Sequence, residues 1–176
     1  MLNWPNNLTL IRICSIPFIV IFLYFPNKIT CLLAGFLFII ASITDYLDGF
    51  LARKYNLVTP VGELLDPIAD KLLISSSLIM LVKHGWLDAW IVIIIIGREI
   101  MITGLRAISA QKGTIIPADR YGKLKMFLQI IAISLLIIHY PIGGINWNFY
   151  GYILIWIALL LTVFSGVNYF YNYLKN

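Results

Sequence analysis

The chain has 176 residues, of which 61% are hydrophobic and only 12% charged, with a formal net charge of +5 and a mean hydropathy of +0.91. A soluble domain carries about 25% charged residues, so this composition excludes a soluble globular protein and leaves no stretch from which a separate soluble domain could be built. Apolar runs long enough to cross a hydrocarbon core of about 30 Å recur from end to end, which predicts an all-α, polytopic membrane protein folded as a single domain over residues 1–176.

Six transmembrane helices are predicted, at approximately 8–25, 29–50, 64–82, 87–108, 122–140 and 149–170. Helices are expected because backbone polar groups in lipid must be satisfied within the segment. A barrel would need short alternating strands, and the runs "IVIIII" and "ILIWIALLLTVF" do not alternate. The first span opens with "PNNLTLIR". It has neither a basic leader nor a small-residue cleavage site, so an uncleaved first helix is expected. Asn7 and Thr9 are residue types that cap helices, and with Arg12 they are candidates either for that role or for substrate binding. Cys14 and Cys31 have no metal-ligand spacing and are expected to be packing residues.

The end of the second span and the start of the third concentrate acidic charge. Asp45, Asp48, Asp66 and Asp70 are half of the eight acidic residues in the chain. Positions three or four apart share a helix face, so each pair projects together, and a short connection between antiparallel helices brings the two pairs close. Pro67 fits the first turn of a helix, where its missing N–H costs nothing. Carboxylates this close repel unless compensated, and hard divalent cations such as Mg²⁺ or Mn²⁺, which take oxygen ligands and bridge to phosphates, would compensate them. Gly49 leaves room beside Asp48 for a ligand and Ala52 keeps the same face shallow, while Arg53 offers a forked cation for a phosphate oxygen. Gly62 can open the third helix as Gly49 opens the second.

The fourth span carries "GREIMITGLRAIS". Ionisable residues within a span are functional candidates by default, and Arg98 and Arg106, two turns apart, can face one cavity; Glu99 is either Arg98's structural partner or part of the same site. At the start of the fifth span, "GKLKMFLQ" adds Lys123 and Lys125, which either snorkel to anionic lipid or join the arginines in a pocket for a phosphate-bearing acceptor. His84 and His139 fall at span ends and are too far apart in sequence to suggest a zinc pair, and Gly143–Gly144 reads as a turn.

With the N-terminus in the cytoplasm, that side receives Arg12, Arg53, Lys54, Arg106, Lys112, Arg120, Lys123, Lys125 and Lys175, and the other side only Lys28 and Lys83. The positive-inside rule then places both termini and the aspartates at the cytoplasmic face. The net positive charge favours anionic headgroups and substrates; nothing in the pattern points to nucleic acid.

Together the residues from the end of the second span to the start of the third spell D-x2-D-G-x2-A-R-x8-G-x3-D-x3-D, from Asp45 through Asp48, Gly49, Ala52, Arg53, Gly62 and Asp66 to Asp70. This resembles the signature of the CDP-alcohol phosphatidyltransferase family, with every fixed position and both gaps matched. The resemblance implies that family's fold and a dinuclear site in which Asp45, Asp48, Asp66 and Asp70 hold two divalent cations, Mg²⁺ or Mn²⁺, that clamp the pyrophosphate of CDP-diacylglycerol. It further implies Asp70 as general base, a nucleotide seated by Gly49, Ala52 and Arg53, a homodimer, and a place in a bacterial cell membrane. "PNNLTLIR", "GREI" with "LRAIS", and "GKLK" with Gln129 resemble the branch whose acceptor is glycerol 3-phosphate, although that branch often has Thr where this chain has Met126. The rival readings are a relative using inositol phosphate or serine, and a small cation transporter; a transporter would usually place its ion site at mid-membrane in broken helices.

Overall fold

The structure is a computed structural model and describes residues 4–54, 60–111 and 120–175. Asn7, Asp48, Gly49, Ala52, Arg53 and Lys123 lie in helices whose backbone is described but outside the residues described in side-chain detail. The described residues form six helices and no strands: α1 (Trp4–Tyr24), α2 (Lys28–Lys54), α3 (Pro60–Lys83), α4 (Ala89–Gln111), α5 (Arg120–Ile138) and α6 (Trp147–Lys175). The expected all-α fold with one helix per span is therefore what the chain adopts.

The helices differ from the predicted spans in one systematic way. At one end of the bundle the two agree within two residues, but at the aspartate-bearing end all six helices outrun their apolar runs, α2 reaching Lys54 and α3 beginning at Pro60. Hydropathy marks where the apolar surface stops, whereas the backbone ladder continues through polar residues that can be solvated. One expectation is corrected as a result: Pro60, not Pro67, opens α3, and Pro67 lies inside the helix, where it withholds the N–H that would bond the carbonyl four residues back.

Local signals fix the opposite end. The Asn27 side chain accepts from the amides of Ile29 and Thr30 at 2.9 and 3.0 Å while Thr30 Oγ1 accepts from the Asn27 amide at 2.9 Å, a reciprocal cap that starts α2. Gly85, at φ 67°, stops α3: its amide reaches the Val82 carbonyl at 2.9 Å and the Trp86 amide the Leu81 carbonyl at 3.0 Å, the paired bonds of a Schellman ending. The expected turn at Gly143–Gly144 is present, with both residues at positive φ. His84 and His139, distant in sequence, both lie against Trp86, which stacks on His139 with ring centroids 3.8 Å apart.

Packing closes a ring: α1 on α2, α2 on α5, α5 on α6, α6 on α4, α4 on α3 and α3 back on α1, with α3 also touching α5 across it. Ile19, Phe38, Leu78, Ile91, Ile133 and Ile155 contribute one fully buried side chain from each helix to the common core. The α5–α6 contact is close enough that a Cβ on Gly151 would lie 3.0 Å from the Leu136 backbone nitrogen, the small-residue packing typical of helices in lipid. Cys31 is in the core, as expected for a packing residue, while Cys14 is exposed.

The outer surface is apolar. Phe18, Phe36, Ile79, Ile93, Phe127 and Leu160, one from each helix, are all more than half exposed. Soluble proteins avoid apolar faces of this extent, and lipid favours them. Among the described residues, Lys28–Asp45 in α2 and Trp147–Tyr171 in α6 are long and apolar enough to cross a membrane, and Thr9–Tyr24 and Leu124–Ile138 are shorter apolar helices.

Candidate active site

At the end where the helices outrun the apolar belt, α1 is packed against both aspartate-bearing helices. Arg12, 1% exposed, pairs through Nη1 with Asp45 Oδ1 at 2.6 Å, and its Nε donates to the Ala41 carbonyl at 3.3 Å. Thr9 Oγ1 donates to Asp66 Oδ1 at 2.5 Å. Thr9 and Arg12 are thus placed one turn apart on α1 so that each engages one carboxylate, Thr9 on α3 and Arg12 on α2. Neither contact is a helix cap: each side chain engages an aspartate on a neighbouring helix.

Asp45 lies within electrostatic range of both Asp66 and Asp70. The fold therefore brings together the three aspartates whose side chains are described, and Asp48 stands on the same helix as Asp45. In this arrangement Asp45 and Asp66 are turned onto Arg12 and Thr9, and among the described residues no group of three or more His, Cys, Asp or Glu side chains converges on one point. The donor chemistry nevertheless fits a hard divalent cation, since the candidate ligands are all carboxylates. Gly62 is buried on α3, near the start of that helix.

Beside the aspartates, α3, α4 and α5 enclose a cavity of about 250 Å³ whose lining includes Asp70, Lys71, Arg98, Thr103, Arg106, Lys125 and Gln129. A second cavity of about 250 Å³ shares Asp70, Lys71, Ile74 and Glu99 with the first but is otherwise mostly apolar, bounded by residues such as Ile68, Leu72, Ile95 and Ile100. Asp70 thus faces both a basic chamber and an apolar one.

Several ionic contacts shape the basic chamber. Lys125, 3% exposed, is bonded to Glu99 Oε1, so it points into the bundle rather than snorkelling to a headgroup. Arg98 Nη1 reaches the same Glu99 oxygen at 3.2 Å. Adjacent helical residues do not face each other, but the long arginine stem bridges the gap. Arg98 Nη2 donates to Ser165 Oγ on α6 at 2.5 Å. Gly166 lets the stem pass, for a Cβ there would lie 3.2 Å from Arg98 Cγ. The Arg106 guanidinium sits 5.4 Å from the centroid of the Tyr169 ring. Arg98, Arg106, Lys125 and Glu99, predicted from the α4 and α5 stretches, are therefore assembled, while the side chain of Lys123 falls outside the described residues.

Sequence reasoning gave no site role to Lys71, Gln129, Ser165, Gly166 or Tyr169, although Gln129 figured in the resemblance. Lys71 and Gln129 carried a usable signal: Lys71 is an ionisable residue inside a span next to Asp70, and Gln129 follows Lys125 by one helical turn on the same face. The α6 residues carried none, because serine, glycine and tyrosine are commonplace in membrane helices.

The family model described as CDP-alcohol phosphatidyltransferase matches residues 2–164. The chain belongs to that family. Its members are membrane-embedded enzymes that generally depend on divalent cations. A Rickettsia typhi protein is 44% identical over 171 residues, covering 97% of this chain and 96% of its own, and a Bacillus subtilis protein is 43% identical over 183, covering 97% and 94%. A Haemophilus influenzae protein is 37% identical over 178, covering 95% and 91%. All three carry the name CDP-diacylglycerol–glycerol-3-phosphate 3-phosphatidyltransferase. The family match stops at 164, so the α6 residues that hold Arg98 and Arg106 lie just beyond it.

Proposed function

We propose that this phosphatidyltransferase moves the phosphatidyl group of CDP-diacylglycerol to sn-glycerol 3-phosphate, forming phosphatidylglycerophosphate and CMP. The observation that carries the reading is Asp70's position, on the aspartate-bearing helix and at the wall of a chamber lined by Arg98, Arg106 and Lys125. A base and a phosphate-binding set share one cavity, which is what a phosphorylated alcohol needs in order to attack. The names of the relatives point to the same acceptor.

Asp45, Asp48, Asp66 and Asp70 would hold two divalent cations, Mg²⁺ or Mn²⁺. When bound, these supply Lewis-acid stabilisation of the charge that develops on the leaving phosphate. Thr9 and Arg12 set the orientation of Asp66 and Asp45. Gly49, Ala52, Arg53 and Gly62 seat the CDP-diacylglycerol nucleotide, while Arg98, Arg106, Lys123 and Lys125 hold the acceptor phosphate by charge-assisted hydrogen bonds. An acceptor hydroxyl oxygen forms a bond to the phosphatidyl phosphorus as the pyrophosphate P–O bond breaks, the hydroxyl proton passes to Asp70, and CMP departs with the bonding electron pair. Asn7 stands at the start of α1, near the segment that carries Thr9 and Arg12. The enzyme works as one domain, and as a homodimer, in a bacterial cell membrane among its lipids, with both termini and the site on the cytoplasmic side.

Inositol phosphate would satisfy the same cations, whereas serine brings no phosphate for them. The test is an acceptor panel: purified protein, CDP-diacylglycerol and Mg²⁺ with glycerol 3-phosphate, inositol phosphate or serine, reading CMP release. Release with glycerol 3-phosphate alone is the expected result. Release with only one of the others would replace the acceptor assignment.

A further inference from the structure

Gln129 is 2% exposed, lines the basic chamber, and its Nε2 finds no hydrogen-bond partner among the described residues. A buried donor left unsatisfied is costly, and native structures keep few of them. The residue that carries it lines a cavity whose wall also holds Arg98, Arg106 and Lys125. A neutral amide adds little to phosphate binding beside three cations, but it can recognise an uncharged oxygen.

Gln129 follows Lys125 by one turn of α5, about 6 Å further along the axis and away from the helix start. An acceptor whose phosphate lies at the level of Lys125 would extend its carbon chain past Gln129. We infer that Gln129 is a specificity-determining residue whose side-chain amide donates a hydrogen bond to an acceptor hydroxyl that takes no part in the attack. For glycerol 3-phosphate this is the middle hydroxyl. The inference rests on the acceptor reading above and adds to it the means of telling a polyol phosphate from a simple alcohol phosphate. A site built to hydrogen-bond a hydroxyl rejects the analogue lacking it, because the buried donor is then stranded.

The test compares glycerol 3-phosphate with the monophosphate of propane-1,3-diol, which keeps the phosphate and a primary hydroxyl and lacks only the middle one. With full-length protein in detergent, CDP-diacylglycerol and Mg²⁺, kcat/KM for wild type should favour glycerol 3-phosphate by about tenfold. In Gln129→Met, which keeps length and loses the donor, the ratio should fall close to one. Should that variant fail to fold, Gln129→Glu keeps the shape, replaces the donor by an acceptor, and should also lose the preference. A merely structural Gln129 would depress both acceptors equally and leave the ratio intact, and that result overturns the inference. Equal use of both acceptors by wild type overturns it as well while leaving the acceptor reading standing, and turnover of neither would overturn both.

Discussion

Asp45 faces a guanidinium buried to 1% exposure at 2.6 Å, and this pair orders the acidic end of the bundle. Removing one partner of a buried ion pair strands the other, at a cost of about 3 kcal/mol toward the low end of the usual range, because Asp45 keeps 25% exposure. Arg12→Met should therefore lower the thermal unfolding midpoint in detergent, and Arg12→Lys should recover part of the loss. A midpoint unchanged in Arg12→Met would show that the pair contributes nothing. Asp45→Asn and Asp66→Asn remove candidate metal ligands at constant side-chain size, so transfer should vanish while the helical circular dichroism signal persists at assay temperature, with Asp45→Asn also lowering the unfolding midpoint because it strands Arg12; chelation of wild type should imitate the loss of transfer. Turnover in a chelated preparation would contradict the metal assignment. The aspartates themselves were legible from spacing on two helix faces. Their partners Thr9 and Arg12 were not, because those contacts depend on how α1 docks against α2 and α3, and hydropathy says nothing of docking. Lys125 was legible as a pocket candidate, but its inward turn was not, since a lysine at a span end reads the same whether it turns outward to lipid or, as here, inward to Glu99.

The least anticipated contribution at the scale of whole elements comes from α6, the most uniformly apolar of the helices to the eye. Ser165, Gly166 and Tyr169 form the wall against which Arg98 and Arg106 rest. Gly166→Val should push the Arg98 stem from its place and raise acceptor KM by about tenfold, with the CDP-diacylglycerol KM little changed; steady-state kinetics with each substrate varied in turn will check it. An unchanged acceptor KM would mean that α6 does not set the position of Arg98. Gly151→Ala tests packing alone, because its Cβ would meet the Leu136 backbone at 3.0 Å. It should destabilise the fold by about 1–3 kcal/mol in thermal unfolding, without a preference for either substrate. The number and type of helices were readable because lipid permits one solution to the backbone's hydrogen bonds. Their excess length at the aspartate end was not, since that length is set by residues no longer facing hydrocarbon.

Across the whole molecule, the ring order that lets α3 touch α4 and α5 creates the chamber between Asp70 and the basic side chains, and nothing in hydropathy discloses that order. Charge asymmetry predicts an orientation: a thiol tag near Asn56 should react only from the cytoplasm and one at Gly143–Gly144 only from outside, and the reverse pattern would put the site on the wrong face for the proposed nucleotide substrate. The central claim is that two substrate sites meet at Asp70, one for the nucleotide by the α2 aspartate motif and one for the acceptor phosphate by α4 and α5. The most direct measurement of it is the pair of Michaelis constants for Arg98→Gln and Arg53→Gln, taken in one detergent at saturating Mg²⁺. Losing a charge-assisted contact of about 1.5–3 kcal/mol should raise the affected KM by roughly one to two powers of ten. The account predicts that Arg98→Gln weakens glycerol 3-phosphate and spares CDP-diacylglycerol, and that Arg53→Gln does the reverse; an Arg98→Gln enzyme that lost its donor affinity and kept its acceptor affinity would contradict it.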